Sequence, residues 1–107
     1  MKKLNIKGLI SATFTPMHKD GSLNLSKIED YANSLKKDGV VGVFICGTTG
    51  EGMLMSKEER ISVANEWIKF KTSDFKIIIH VGSTSYRVSE KLAVHAQEIG
   101  ADAIGTM

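Results

Sequence analysis

The sequence has none of the features that mark a membrane-spanning, disulfide-linked or nucleic-acid-binding protein. Its single cysteine, Cys46, excludes a disulfide within the chain and fits a reducing compartment. No apolar run approaches the roughly 18 residues that a membrane-spanning helix needs. The 14 basic and 12 acidic residues are dispersed along the chain, so no basic patch indicates a nucleic-acid partner. Two lysines near the amino terminus lack the apolar segment of a signal peptide behind them, and we therefore expect a cytoplasmic protein.

Proline is also rare, and the composition is otherwise that of an ordinary globular domain. The chain has 107 residues, of which 42% are hydrophobic and 24% are charged. A chain of this length is sufficient for one modest hydrophobic core. The only proline, Pro16, ends the first apolar run, because it cannot donate a hydrogen bond to a neighbouring strand.

Short apolar runs alternate along the chain with segments of helical periodicity. The runs have the length and the β-branched content of buried strands, and they span residues 8–15, 40–46, 76–81 and 101–105. Between them, apolar residues recur at helical spacing, as in Ile28, Tyr31, Ala32 and Leu35, in Ile61, Ala64, Trp67 and Ile68, and in Val88, Leu92, Ala96 and Ile99. The alternation predicts an α/β fold with a parallel sheet, either doubly wound or an arc of a barrel.

The predicted helices have recognisable ends. Ser26 with Glu29, and Ser56 with Glu59, have the spacing of a capping box, in which the two side chains satisfy backbone amides at a helix start. Gly39 follows the first helical segment and is typical of a left-handed stop. The fourth predicted strand, in contrast, is followed by no helix, and its edge would expose unpaired backbone groups. We therefore expect residues 1–107 to form a single partial domain, the N-terminal piece of a larger protein.

The second strand is followed by a glycine-rich loop, Gly47–Gly52, with the sequence GTTGEG. Parallel α/β folds bind their ligands at the carboxyl ends of the strands, so this loop is a candidate site. Its glycine order differs from the dinucleotide fingerprint and it lacks the lysine of a phosphate loop, which disfavours phosphate. The hydroxyls of Thr48 and Thr49, with backbone amides near a helix start, could instead hold a small carboxylate. The residues are equally compatible with a plain turn, in which both threonines bond local backbone.

Other residues near the strand ends are better explained by structure than by chemistry. Glu51 is more typical of an electrostatic helix cap than of a base. His80 lies within an apolar strand, which favours a core histidine with satisfied nitrogens, and Cys46 is typical of a small buried residue. Tyr86 and Arg87 follow the third strand, where a tyrosine more often serves packing or an interface.

Two further groups of residues carry little chemical information. His18 and His95 have no second ligand at metal spacing, so we predict no metal site. Met53, Leu54 and Met55 form an apolar cluster that would cap the core or contact a partner subunit.

Five motifs together resemble the N-acetylneuraminate lyase and dihydrodipicolinate synthase family of class I pyruvate aldolases. They are GLISATFTP at residues 8–16, Asp20-Gly21, GTTGEG at 47–52, SKEER at 56–60 and IHVG at 79–82. They occur in the expected order over nearly the whole chain, and they look most like the N-acetylneuraminate lyase branch. The resemblance implies a TIM (β/α)8 barrel of about 250 residues, of which this chain would be the first three and a half βα units.

The resemblance also implies a chemistry and a set of site residues. In this family a lysine forms a Schiff base with pyruvate or another 2-keto acid, and N-acetylneuraminate is thereby cleaved to N-acetylmannosamine and pyruvate. That lysine and the proton-shuttling tyrosine come from later strands, so we expect the 107-residue piece alone to be inactive. Thr48 and Thr49 match the hydroxyl pair that holds the substrate carboxylate, and Thr48 also matches the hydroxyl of the proton relay. Gly47 and Gly50 let the backbone approach the substrate, and the assembly implied is a homotetramer without a cofactor.

Two alternatives to this lyase remain at this point. The chain could belong to dihydrodipicolinate synthase or to another 2-keto acid aldolase, because the residues that select the aldehyde partner lie beyond Met107. It could also be a small non-catalytic αβ binding module of the receiver type. Such a module needs acidic residues at its early strand ends, where this sequence has threonine, proline and glycine.

Overall fold

The computed structural model describes residues 6–106, and they form a parallel four-stranded sheet with three α-helices. The elements alternate in the predicted order, which confirms the α/β class. They are β1 (Ile10–Ala12), α1 (Lys27–Lys37), β2 (Gly42–Ile45), α2 (Lys57–Trp67), β3 (Lys76–His80), α3 (Tyr86–Glu98) and β4 (Ala103–Gly105), with short 3-10 helices at Gly52–Leu54 and Ile68–Phe70. None of the helices in this part of the chain is long and apolar enough to cross a membrane.

The sheet topology decides between the two parallel folds that the sequence left open. The strands are hydrogen-bonded in the order β1-β2-β3-β4, which is their order along the chain. Buried residues of all three helices form one core with Val43, Ile45, Ile77 and Ile79, so the helices cover a single face of the sheet. A doubly wound sheet would reverse its strand order and carry helices on both faces. The structure is therefore an arc of a barrel.

The register of the strands separates the helix-covered face from the opposite one. Val43 pairs with Ile77 and Ile45 with Ile79, and these side chains are buried against the helices. Alternate positions point to the other face because side chains alternate along a strand. That face carries residues that are partly buried or exposed, namely Ala12, Phe44, Ile78 and Ala103.

The two predicted capping boxes have different outcomes. At α2, the Ser56 hydroxyl accepts a bond from the Glu59 amide at 3.1 Å, and the Glu59 carboxylate accepts one from the Ser56 amide at 3.0 Å, which confirms the box. At α1 the prediction is wrong. Ser26 has helical dihedral angles, and its hydroxyl donates to the side chain of Asn24 over 2.8 Å. The preceding turn already provides carbonyl acceptors for the first helical amides, so no side-chain cap is needed.

The strands are shorter than the apolar runs that predicted them. The first run covers residues 8–15, but β1 spans only Ile10–Ala12, and β4 spans Ala103–Gly105 within the run 101–105. The left-handed stop is confirmed, since Gly39 after α1 has a φ of +81°. Residues beyond each strand end therefore belong to the loops at the carboxyl edge of the sheet, where the candidate site lies.

Candidate functional site

The glycine loop follows β2 and is folded tightly on itself. Cys46 leaves the strand with a φ of 59°, in the left-handed region that residues other than glycine rarely adopt. The Gly52 amide donates to the Gly47 carbonyl and the Glu51 amide to the Thr48 carbonyl, both over 3.0 Å. These bonds close the loop into a compact turn at the carboxyl edge of the sheet.

Thr48 and Thr49 lie at the tip of this turn, and both are exposed to solvent. Within residues 6–106, neither their hydroxyls nor their backbone amides donate a hydrogen bond. A plain turn stabilised by threonine side chains would show such local bonds. Four donors at adjacent positions are thus available to an anionic group.

The glycines of the loop are required by close contacts with the protein itself. A methyl group at Gly50 would lie 2.9 Å from the Thr13 carbonyl oxygen, and one at Gly52 would overlap the carbonyl oxygen of Cys46. At Gly47 it would lie 2.6 Å from the ring of Phe44. The glycines therefore allow the loop to sit directly on the ends of β1 and β2.

The α-helix after the loop begins where its capping box predicts, and a short 3-10 turn separates it from the loop. Gly52–Leu54 is a 3-10 turn, and α2 begins only at Lys57 with its capping box already formed. Glu51 precedes the 3-10 turn with a φ of 58°, and its side chain makes no capping hydrogen bond there. Thr48 and Thr49 therefore lie next to a 3-10 turn and not next to the first residue of α2, and the electrostatic role of Glu51 stays a prediction.

A buried polar network lies between the loop and α2. Arg60 is only 4% exposed, and its guanidinium donates to the carbonyl oxygens of Gly82 at 2.8 Å and His80 at 2.7 Å. The Nδ1 atom of His80 lies 3.0 Å from the Cys46 carbonyl oxygen and 3.3 Å from Arg60 Nη2. His80 is 3% exposed, and its Nε2 atom has no hydrogen-bond partner in the described part of the chain. The prediction of a core histidine is confirmed for its burial, but only one of its ring nitrogens is satisfied.

Arg60 is the residue of this region that the sequence reasoning missed. The pattern placed Ile61 on the buried stripe of α2, whereas the buried positions are Arg60, Val63, Ala64 and Trp67. These four are spaced i, i+3, i+4 and i+7, so a helical wheel started at the capping box would have included Arg60. An arginine on that stripe was overlooked because arginine is seldom fully buried.

Burial shapes the electrostatics of the thiol and the guanidinium. Burial raises the pKa of the Cys46 thiol to about 11, and the nearby Arg60 charge lowers it by a smaller amount. Burial likewise lowers the pKa of Arg60, although an arginine keeps its proton at physiological pH. The thiol is thus protonated near neutral pH, and its 1% exposure confirms the prediction of a small buried residue.

The remaining candidates lie apart from this network. Tyr86 begins α3 and is 82% exposed, so it is a helix residue and not part of the preceding loop. Met53 and Leu54 are exposed, while Met55 is buried in the core. Across residues 6–106, no three His, Cys, Asp or Glu side chains are grouped as a metal site would require.

Comparison with known proteins agrees with the geometry. Residues 5–107 match the dihydrodipicolinate synthetase family. The chain belongs to this family. The N-acetylneuraminate lyases of Pongo abelii and Homo sapiens are 48% and 47% identical to it, over 98% of this chain and 33% of each relative. The chain spans about a third of the length of these curated relatives.

Solved structures of the dihydrodipicolinate synthetase family share the fold. The N-acetylneuraminate lyase of Proteus mirabilis superposes with a TM-score of 0.90 at 40% identity, over 94% of this chain and 34% of that one. The dihydrodipicolinate synthase of Aquifex aeolicus gives a TM-score of 0.86 at 27% identity, with the same coverage of 94% and 34%. The four strands and their helices correspond to the N-terminal part of these TIM-barrel aldolases, which confirms the predicted fold.

For a family of aldolases, the glycine loop provides binding groups, and no strand within residues 6–106 brings a lysine beside it. The loop offers hydroxyl and amide donors, which suit a carboxylate. Among the strands described, the only lysine is Lys76, the first residue of β3, at the amino edge of the sheet. It lies at the end of the sheet opposite to the glycine loop.

Proposed function

We propose that this chain is the N-terminal part of an aldolase that cleaves N-acetylneuraminate to N-acetylmannosamine and pyruvate, with the glycine loop as its carboxylate site. The observation that carries the proposal is the pair Thr48 and Thr49. Within residues 6–106 their hydroxyls and amides donate no hydrogen bond, although the loop that bears them is itself hydrogen-bonded to neighbouring segments. The loop is braced by Thr15 on one side and by His80 on the other.

The proposed mechanism assigns binding to this chain and bond cleavage to later strands. The substrate carboxylate accepts hydrogen bonds from Thr48 and Thr49, which are stronger than neutral ones because the acceptor is charged. This anchorage holds the keto carbon against a lysine that lies outside residues 1–107 and forms the Schiff base. Gly47 and Gly50 keep the backbone at the tip unobstructed. Thr48 also relays a proton to a tyrosine from a later strand, and no cofactor takes part.

One comparison favours N-acetylneuraminate as the substrate over that of a related aldolase. Among the solved structures, the N-acetylneuraminate lyase of Proteus mirabilis is 40% identical to this chain, whereas the dihydrodipicolinate synthase of Aquifex aeolicus is 27% identical. Dihydrodipicolinate synthase, or another 2-keto acid aldolase, is the second candidate because it would use the same carboxylate loop. A receiver-type module has no support, since β1, β2 and β3 are followed by Thr13, Cys46 and Val81 and not by carboxylates.

We further propose that the complete enzyme is a cytoplasmic homotetramer that acts on a small 2-keto acid, with neither membrane nor nucleic acid as a partner. The dispersed charge and the single cysteine support the location. Exposed Met53 and Leu54 are consistent with a subunit contact, and the family resemblance supports the tetramer.

Trapping of the Schiff base tests the proposal. The complete protein is treated with pyruvate and borohydride, and we expect one lysine outside residues 1–107 to carry a reduced pyruvyl group. Lactate replaces pyruvate in the control, because it has the same carboxylate but no keto carbon to react. Absence of an adduct, or an adduct on a lysine within residues 1–107, would contradict the proposal. Release of pyruvate from N-acetylneuraminate then separates the leading function from the second candidate.

A further inference from the structure

Arg60 is a buried cation whose neighbours are carbonyl oxygens. In the chain from Ile6 to Thr106, no carboxylate oxygen lies within 4.0 Å of a guanidinium nitrogen of Arg60, so Arg60 forms no ion pair there. Its Nη1 and Nη2 atoms instead donate to Gly82 and His80, at the carboxyl end of β3. Burial of a charge is costly unless the charge is paired or hydrogen-bonded. The hydrogen bonds of Arg60 therefore stabilise the carboxyl end of β3.

The imidazole of His80 connects this arginine to the glycine loop. A carbonyl oxygen can only accept, so the 3.0 Å contact between His80 Nδ1 and the Cys46 carbonyl places a proton on Nδ1. Arg60 Nη2 then directs its own proton to the His80 carbonyl at 2.7 Å, and its 3.3 Å approach to Nδ1 is a packing contact. Arg60 thus holds the backbone of His80, and the ring of His80 holds the Cys46 carbonyl.

The hydrogen bond from His80 Nδ1 to the Cys46 carbonyl holds the start of the glycine loop. Cys46 has the left-handed dihedral angle that turns the chain out of β2, and its carbonyl oxygen is in close contact with Gly52, at the other end of the loop. Rotation of that peptide would move both ends of the turn. Between them lie Thr48 and Thr49, whose donors face solvent.

We infer that Arg60 is a positioning residue, which holds the glycine loop in its carboxylate-binding geometry through His80 and the Cys46 carbonyl. The consequence for catalysis rests on the proposed function, whereas the consequence for the loop does not. Arg60 itself is only 4% exposed, so it is assigned to holding the loop and not to binding the substrate carboxylate. Its planar fork is suited to this role because two separate nitrogens reach two different carbonyls in a fixed geometry, whereas a lysine offers its donors from a single nitrogen.

The first test measures the loop without any substrate. Arg60→Met and Arg60→Lys are made in the complete protein. Lys69→Met is the matched control, because among the described residues the Lys69 side chain bonds that of Glu66 alone, over 3.0 Å. Hydrogen exchange is followed at the amides of Glu51 and Gly52, which close the turn. We expect about tenfold faster exchange in Arg60→Met, a smaller increase in Arg60→Lys, and no change in α3 or in the control.

The second test measures substrate binding in the condensation direction. We expect the KM for pyruvate to rise about tenfold in Arg60→Met, with the KM for the aldehyde unchanged, because only the keto acid carries the carboxylate. A merely structural arginine would lower the active fraction and leave both KM values as they are. Arg60→Lys retains the charge and most of the length of the side chain. If Arg60→Met does not fold, the KM values of Arg60→Lys for pyruvate and for the aldehyde provide the test.

The outcomes separate this inference from the proposed function. Unchanged exchange at Glu51 and Gly52 in a folded Arg60 variant would overturn the positioning role, whatever the activity of the enzyme. A wild-type protein that forms no pyruvate adduct would overturn the proposed function, while faster loop exchange in the variant would still support the role of Arg60. Equal increases in the KM values for pyruvate and aldehyde would also count against the positioning role.

Discussion

The hydroxyl of Thr15 donates to the carbonyl oxygen of Gly50 over 2.6 Å, although the two residues lie 35 positions apart in the sequence. Thr15 is buried, and it follows β1 by three positions. The bond holds the glycine loop from the side of β1, as His80 holds it from the side of β3 through the Cys46 carbonyl. The carboxylate site that we propose is therefore shaped by three neighbouring strands and not by its own six residues.

Thr15→Val removes the bond to Gly50 and keeps the volume of the side chain nearly unchanged. We expect the free energy of unfolding to fall by about 1–3 kcal/mol, because the Gly50 carbonyl is left buried without a partner. Denaturant unfolding of the complete protein measures the loss. Thr84→Val is the control, since Thr84 is exposed in the loop after β3. Equal stabilities of the two variants would show that the Thr15 bond contributes nothing.

Thr49→Val tests the carboxylate site directly. We expect the KM for keto acids to rise by the equivalent of about 1–3 kcal/mol, with kcat little changed, because a hydrogen bond to the bound carboxylate is lost in ground and transition state alike. Steady-state kinetics of the complete enzyme with pyruvate give both constants. An unchanged KM in Thr49→Val would favour the plain turn over the carboxylate site.

Much of the fold could be predicted from local sequence patterns, because each pattern acts over a few residues. Ser56 and Glu59 form their capping box because Ser56 has the extended conformation that the motif needs. Ser26 has the same spacing to Glu29, but its side chain bonds Asn24 instead. Competition from a neighbouring polar side chain is not visible in the spacing of a motif.

The features that shape the site depend on contacts between distant segments. Burial of Arg60 becomes favourable only where β3 brings two carbonyl oxygens to α2. Cys46 adopts a left-handed conformation that its residue type does not favour, and the packing of Gly52 against its carbonyl accompanies it. The sequence shows that Thr48 and Thr49 are polar and flanked by glycine. It does not show that Thr15 and His80 brace the loop between them.

Gly52→Ala should be more disruptive than replacement of a glycine in an open turn. The added methyl group would overlap the Cys46 carbonyl, which cannot move without weakening its contact with His80, and we expect a loss of about 3 kcal/mol. Gly100 has a φ of +87°, and apart from its chain neighbours no described residue has an atom within 4 Å of an added methyl group. For Gly100→Ala we therefore expect the free energy of unfolding to fall by about 1–2 kcal/mol, because alanine is strained at a positive φ. Denaturant unfolding compares the two, and a smaller loss at Gly52 would contradict the crowding at this peptide.

The Cys46 thiol should make the stability of the protein depend on alkaline pH. Burial raises its pKa to about 11 from the ordinary value of 9.0, so the folded state holds the proton more tightly than the unfolded state. The resulting stabilisation is fully present below pH 9 and is lost as the pH rises through about 11. Between these limits we expect wild type to lose on the order of 2–3 kcal/mol more than Cys46→Ala, in which no thiol titrates. Urea unfolding of both proteins across this range measures the difference, because titration of lysine and tyrosine is common to the two and cancels. Parallel stability curves would mean that the thiol ionises in the folded protein as readily as in the unfolded chain.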